Sequence, residues 1–156
     1  MRLDAGKGES GIPRALSGGR YSVTRQLGSG GMAEVFECYD HMLSVWRAVK
    51  FLLPHYAARS SVRRRFDAEA QAMARVEHRN VLRIYDVGLE GSRPFMVMEL
   101  ARGGSLESYV AKHHRMHPRL AVESLLQVCA GVSEAHEHGI VHRDLKPDNI
   151  LIDHRG

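Results

Sequence analysis

The chain lacks most features that would mark a secreted, membrane or nucleic-acid-binding protein. Its 156 residues hold only two cysteines, Cys38 and Cys129. They lie far apart and in no CxxC spacing, which excludes a disulfide framework and reads as reduced core thiols. No run reaches the roughly 18 apolar residues that a membrane helix needs. The N-terminus carries no apolar stretch of the secretory kind, so a soluble cytoplasmic protein is expected. The formal net charge is only +4, and no Lys/Arg run forms a nucleic-acid arm. Arg63-Arg64-Arg65, the densest basic cluster, reads as the solvated first turn of a helix. There is no internal repeat and no Gly-Lys-Ser/Thr phosphate loop. What is present is a hydrophobic content of 44%, enough for the core of about one domain.

Residues 1–19 are rich in glycine and polar residues and are expected to be a flexible tail. From Arg20 short apolar runs begin. Tyr21 to Leu27, Glu34 to Tyr39 and Val45 to Leu53 read as strands. Ser60 or Ser61 can cap a helix to about Val76, with Phe66, Ala70, Met73 and Ala74 on one face. Val81 to Val87 and Phe95 to Leu100 read as two more strands, joined by Gly88 to Pro94. Gly103-Gly104 breaks the chain, and Ser105 can cap a short helix to about His113. Pro118 suits the first turn of a longer helix ending near Gly139. Its apolar stripe is Val122, Leu125, Leu126, Cys129 and Val132. Strands first and helices afterwards make an α+β order rather than a βαβ repeat. His113, His114 and His117 have helical metal spacing but no fourth ligand nearby, and read as a solvated helix end.

Leu27-Gly28-Ser29-Gly30-Gly31-Met32-Ala33-Glu34-Val35 lies between two strand-like runs. Glycines let a backbone approach phosphate oxygens and aim N–H groups at them, although an ordinary hairpin uses the same residues. A dinucleotide site would need a helix straight after the glycines, and Glu34 to Tyr39 reads as strand. Ala48-Val49-Lys50 places an ammonium within an apolar strand, where it needs a partner. Glu69 on the following helix, one turn before Met73, is the natural counter-ion. A lysine reaching solvent from a strand edge is the plainer alternative.

His142-Arg143-Asp144-Leu145-Lys146-Pro147-Asp148-Asn149 changes that balance. With the glycine turn and the strand lysine, this spacing resembles the eukaryotic-type protein kinase family, and the Gly-Gly-Met-Ala-Glu-Val wording is most similar to its bacterial Ser/Thr branch. The resemblance covers residues 20–156. It implies an N-lobe at about 20–100, a five-stranded antiparallel sheet plus one helix, followed from about 101 by the first helices and catalytic loop of an incomplete helical C-lobe.

By that resemblance Asp144 would orient the attacking hydroxyl, Lys146 would neutralise the transferring phosphoryl group and Asn149 would bind Mg2+. ATP would be held by Leu27, Gly28, Ser29, Gly30, Gly31, Met32, Ala33 and the Lys50–Glu69 pair. Val35, Ala48 and Leu151 would sandwich adenine, with Met98 as gatekeeper and the Glu99 carbonyl and Ala101 amide as its hydrogen-bond partners. His142 would pack in the core, and Met73, Ile84 and His142 would stack as part of a column of side chains. The implied partner is a protein with Ser/Thr hydroxyls; the oligomeric state is left open.

The pattern departs from the family in two places. Ala33 stands where a third glycine is usual. The Asp-Phe-Gly motif, due about a dozen residues after Asn149, is absent, since only seven residues follow. A truncated chain is therefore expected, with phosphoryl transfer by this chain alone crippled and the apolar stripe of the Pro118 helix lacking most of its cover. A pseudokinase-like module that binds nucleotide or a partner without chemistry is the competing expectation.

Overall fold

Strict alternation along the central strands decides which face each side chain takes. Residues 14–153 are described by the computed structural model, which forms two units. Among the described residues, one comprises residues 14–71 together with Ile84–Leu100, and the other comprises Ala72–Arg83 and residues 101–153.

The first unit is an antiparallel sheet of β1 (Ala15–Leu16), β2 (Tyr21–Ser29), β3 (Ala33–Asp40), β4 (Val45–Leu52), β5 (Ile84–Glu90) and β6 (Arg93–Met98), in the order β1-β2-β3-β4-β6-β5. One face buries Leu16, Tyr21, Phe36, Cys38, Val49, Phe51, Phe95 and Val97. Phe51 is its centre, 6.3 Å from Phe36 and 5.5 Å from Phe95 between ring centroids. Burial pushes the Cys38 thiol up to about 12, helped by the charge of Asp40, so it is an inert core group. The opposite face packs Leu52 and Met96 against α1 (Pro54–Ala57) and α2 (Ser60–Met73) through Ala57, Phe66 and Ala70.

Several expected boundaries move, each for a local reason. The segment expected as a tail contributes β1: Leu16 is fully buried and pairs with Tyr21, so residues 14–19 are folded. The rest of that segment lies outside the described residues. The sheet therefore has six strands rather than five. Helix α2 stops at Met73, because the amides of Arg75 and Val76 bond the carbonyls of Ala72 and Met73 in a tighter turn. Ala74 is left exposed. Strand β5 starts at Ile84 instead of Val81, whose amide closes a turn on His78. Gly88 is a strand residue paired with Phe95 and not a turn, and a Cβ there would meet the Phe95 ring at 2.6 Å. The two-residue turn is at Gly91, with φ of 60°.

The second unit holds α3 (Leu106–His113) and α4 (Pro118–Glu137). Ser105 caps α3 by accepting the Ser108 amide at 3.1 Å, as its sequence position implies. His117 caps α4 by accepting the Arg119 amide, and His113 stacks on Tyr109. Among the described residues no three His, Cys, Asp or Glu side chains form a metal cluster. Gly131 is buried against Asn80, whose side chain donates to Gln127 at 2.9 Å. Val122, Leu125, Leu126 and Cys129 are exposed along α4. No helix among the described residues is long and apolar enough to cross a membrane.

An ionic junction ties the start of β2 to β3 and β5. Arg20 donates to Asp40 at 3.0 Å and to Asp86 at 3.2 Å, and the Tyr21 hydroxyl donates to Asp86 at 2.7 Å. Burial alone would raise the Asp40 carboxyl; the hydrogen bonds from Arg20 and the Leu43 and Met42 amides outweigh it and hold it below its ordinary range. A depressed carboxyl stabilises the fold above the ordinary carboxylate range and loses that contribution as acid protonates it. Arg20→Met is expected to destabilise the fold near neutral pH, because it leaves the buried Asp40 carboxylate without its cation. Denaturant titrations at several pH values should find the deficit shrinking as acid protonates Asp40, which loses its charge more readily once Arg20 is gone.

Candidate active site

Cross-strand register brings the first set of predicted residues onto one face of the sheet. Gly28 pairs with Val35, Val35 with Lys50, and Lys50 with Met96; Ala48 pairs with Met98. Directly opposed residues point the same way, so Val35, Ala48, Lys50 and Met98 share the face on which α2 packs. The Lys50 ammonium lies 3.4 Å from Oε1 of Glu69 on α2. Both side chains are partly exposed, at 31% and 57%. The pair is therefore worth at most about 1 kcal/mol to stability, and orienting the ammonium is its more consequential effect.

The glycine-rich segment is the β2–β3 hairpin. The Gly30 amide donates to the Ala33 carbonyl at 2.8 Å, and the Leu53 amide donates to the Met32 carbonyl at 2.9 Å. A bulge at Leu27 separates the Gln26 and Gly28 pairings. Neither backbone angle nor crowding demands glycine at Gly28 or Gly31. Their φ values lie outside the left-handed region, and a Cβ at either would meet nothing within 4 Å. Conformational need, the usual reason for glycine in a hairpin, does not apply at these two positions. Ala33 opens β3 and pairs with Leu52. Past the end of β6, neither the Glu99 carbonyl nor the Ala101 amide takes part in a turn or loop hydrogen bond among the described residues.

In the second unit, the loop from His142 gathers the other predicted set. Lys146 Nζ is 3.3 Å from Asp144 Oδ2, and the Asn149 amide donates to the same oxygen at 3.0 Å and to the Asp144 carbonyl at 2.7 Å. The hydrogen bonds from Lys146, then Asn149, hold the Asp144 carboxyl below its ordinary range. Arg143 sits at φ 60°, a left-handed conformation that a non-glycine residue adopts at some cost. A 3-10 turn over Pro147–Asn149 follows.

The loop is stitched to the start of α3 by the Gly103 amide to the Ile152 carbonyl, Ile152 to Gly104 and Leu106 to Ile150, each 2.8 Å. Gly103 is required there, since a Cβ would meet the Ile152 carbonyl at 2.5 Å. Leu151 bridges to Ser105 but remains 43% exposed. His142, expected in a core, is exposed, because no described element of its unit covers that side of the loop. A cavity of about 290 Å³ lined by Leu106, Val110, Leu125, Val128, Pro147 and Ile150 is apolar and contains none of the predicted catalytic side chains.

One unit thus holds a strand ammonium paired to a helical carboxylate beside a glycine hairpin, and the other an aspartate, a lysine and an asparagine gathered in one loop. The protein kinase domain family matches residues 21–156. PrkC of Bacillus subtilis, a serine/threonine-protein kinase, is 41% identical over 88% of the chain and 21% of its own length. PknL of Mycobacterium tuberculosis is 39% identical over 93% of the chain and 36% of its length. PksC of Streptomyces coelicolor is 38% identical over the whole chain and 29% of its length. The crystal structure of the Mycobacterium tuberculosis PknI kinase domain superposes with a TM-score of 0.78 at 27% identity, covering 91% of this chain and 58% of that one. The chain belongs to the protein kinase family, in its bacterial Ser/Thr branch. It spans between about a fifth and about a third of the length of these three curated relatives.

The loop geometry is open to direct titration. In Asn149→Ala the Asp144 carboxyl should titrate higher than in the parent, and in Lys146→Met higher still. Carboxyl-detected NMR over acidic pH checks the order; an unchanged Asp144 titration in both variants contradicts the contacts described.

Proposed function

We propose that this chain is the ATP-binding and catalytic-loop portion of a Ser/Thr protein kinase, which transfers the γ-phosphoryl group of ATP to protein Ser/Thr hydroxyls. The observation that carries the reading is the convergence of Lys146 and Asn149 on a single carboxylate oxygen of Asp144. Phosphoryl transfer asks a protein mainly for positioning and charge neutralisation. Asp144, kept ionised, accepts or orients the proton of the attacking hydroxyl. Lys146 offsets the charge that spreads over the phosphoryl oxygens in the transition state.

Asn149 directs its amide hydrogens at Asp144, which leaves Oδ1 for a cation. A hard oxygen donor suits Mg2+, which takes the rest of its shell from nucleotide phosphates and water. When bound, the ion neutralises phosphate charge. Lys50, held by Glu69, pairs with phosphate oxygens, and the backbone of residues 28–33 takes the rest, which explains glycines that the hairpin itself does not need. Val35, Ala48, Met98 and Leu151 supply apolar contact for adenine, and Glu99 and Ala101 its hydrogen bonds.

Calorimetric titration with Mg·ATP tests the reading. Saturable binding is expected, weakened by Lys50→Met and by Gly31→Val by roughly tenfold each, about 1.4 kcal/mol. Asp144→Asn should leave binding in place while abolishing any transfer of labelled phosphate. Absence of binding, or binding indifferent to Lys50 and Gly31, would overturn it.

A further inference from the structure

On the sheet face turned away from Lys50, one side chain joins three strands at the root of the glycine hairpin. Arg93 on β6 donates through Nε to the Leu52 carbonyl at 3.0 Å and through Nη2 to Glu34 Oε2 at 3.1 Å. Its guanidinium lies 5.3 Å from the centre of the Phe51 ring. The second oxygen of Glu34 accepts from Gln26 on β2 at 3.4 Å. Arg93 and Glu34 are only 12% and 13% exposed, against 31% and 57% for Lys50 and Glu69. A pair withdrawn from water is screened less than an exposed one and holds its geometry more strictly.

Position gives this pair its interest. Glu34 is the residue after Ala33, whose carbonyl closes the hairpin on Gly30, and it pairs across the strands with Ser29 and Phe51. Leu52 precedes Leu53, whose amide holds the Met32 carbonyl at the hairpin tip. Arg93 thus grips both anchorages of the turn, one on β3 and one at the end of β4, with a rigid planar fork that a lysine cannot reproduce. Glycines at 28, 30 and 31 give the turn no stiffness of its own, so its shape depends on what holds its roots.

We infer that Arg93, through Glu34 and the Leu52 carbonyl, is a positioning residue that sets the glycine hairpin in the shape in which its backbone receives phosphate. It touches no nucleotide and acts from behind the sheet. The inference rests on the reading of residues 28–33 as the phosphate cradle, and predicts an effect on the phosphates of the ligand rather than on its base.

The test compares ATP with adenosine on the whole chain and on Arg93→Met, Arg93→Lys, Glu34→Gln and Glu34→Gln/Arg93→Met, at a temperature where each is folded. ATP affinity should fall about tenfold in Arg93→Met, a size usual for coupling through an intermediate group, with adenosine affinity unchanged. Arg93→Lys should rescue only in part, and the double variant should be no worse than the poorer single. Without ligand, the amides of Gly30 and Leu53 should lose hydrogen-exchange protection while the β4 interior keeps it.

Equal weakening of ATP and adenosine, or unchanged protection at Gly30 and Leu53, would assign the pair a purely structural role and overturn the inference. Should the parent chain bind no ATP, the phosphate-cradle reading fails with it. Exchange at Gly30 and Leu53 then reports separately whether the grip on the hairpin exists.

Discussion

The antiparallel register of β3 with β4 is the constraint on which the rest of the first unit depends. It puts Val35 opposite Lys50 and Glu37 opposite Ala48, and strand alternation then sends Lys50 to the α2 side and Phe51 to the aromatic side. A slip of one residue would bury the ammonium beside Phe36 and Phe95 and turn the Phe51 ring out of the aromatic face. Cross-strand packing on the aromatic face thus fixes where a charged group emerges on the other. Burial energetics and site geometry are here one constraint acting on two sides of a sheet.

Three carboxylates of the sheet, Asp40, Glu34 and Glu37, are withdrawn from water and each meets an arginine: Arg20 at 3.0 Å, Arg93 at 3.1 Å and Arg25 at 2.6 Å respectively. Arginine suits such places, since its planar donors match a carboxylate or carbonyl and its charge is never lost. The more exposed carboxylates Glu69 and Asp144 instead meet lysines, Lys50 and Lys146. On the proposed function, a mobile point charge there could exchange a carboxylate for a phosphate oxygen at little cost.

Much of this was legible in the sequence, and the reasons for the rest are physical. The hairpin glycines, the strand lysine and the Asp144–Asn149 spacing are short-range patterns, and local spacing alone specifies them. Ser105 and Pro118 mark helix starts for the same reason. Leu16 was unreadable, because a two-residue strand has no periodicity and its burial is decided by Tyr21 and the sheet beneath. Gly88 and Gly103 were read as breaks. Each is in fact a close approach, Gly88 to the Phe95 ring on the neighbouring strand and Gly103 to the Ile152 carbonyl far along the chain. The Arg20 and Arg93 junctions link residues 20 to 66 apart; a lone arginine in a strand carries no local sign of such partners. His142 was placed in a core by resemblance, and the loop leaves it exposed.

The central claim is that Lys50, oriented by Glu69 on the glycine-hairpin face, meets the phosphates of a nucleotide. An acyl phosphate of ATP tests it most directly, since a lysine held at the phosphates takes the acyl group and releases ATP. Peptide mass spectrometry should find acylation concentrated on Lys50 and Lys146 and suppressed by excess ATP, with Lys112 on α3 barely modified. Equal labelling of Lys50 and Lys112, untouched by competing ATP, would contradict the account.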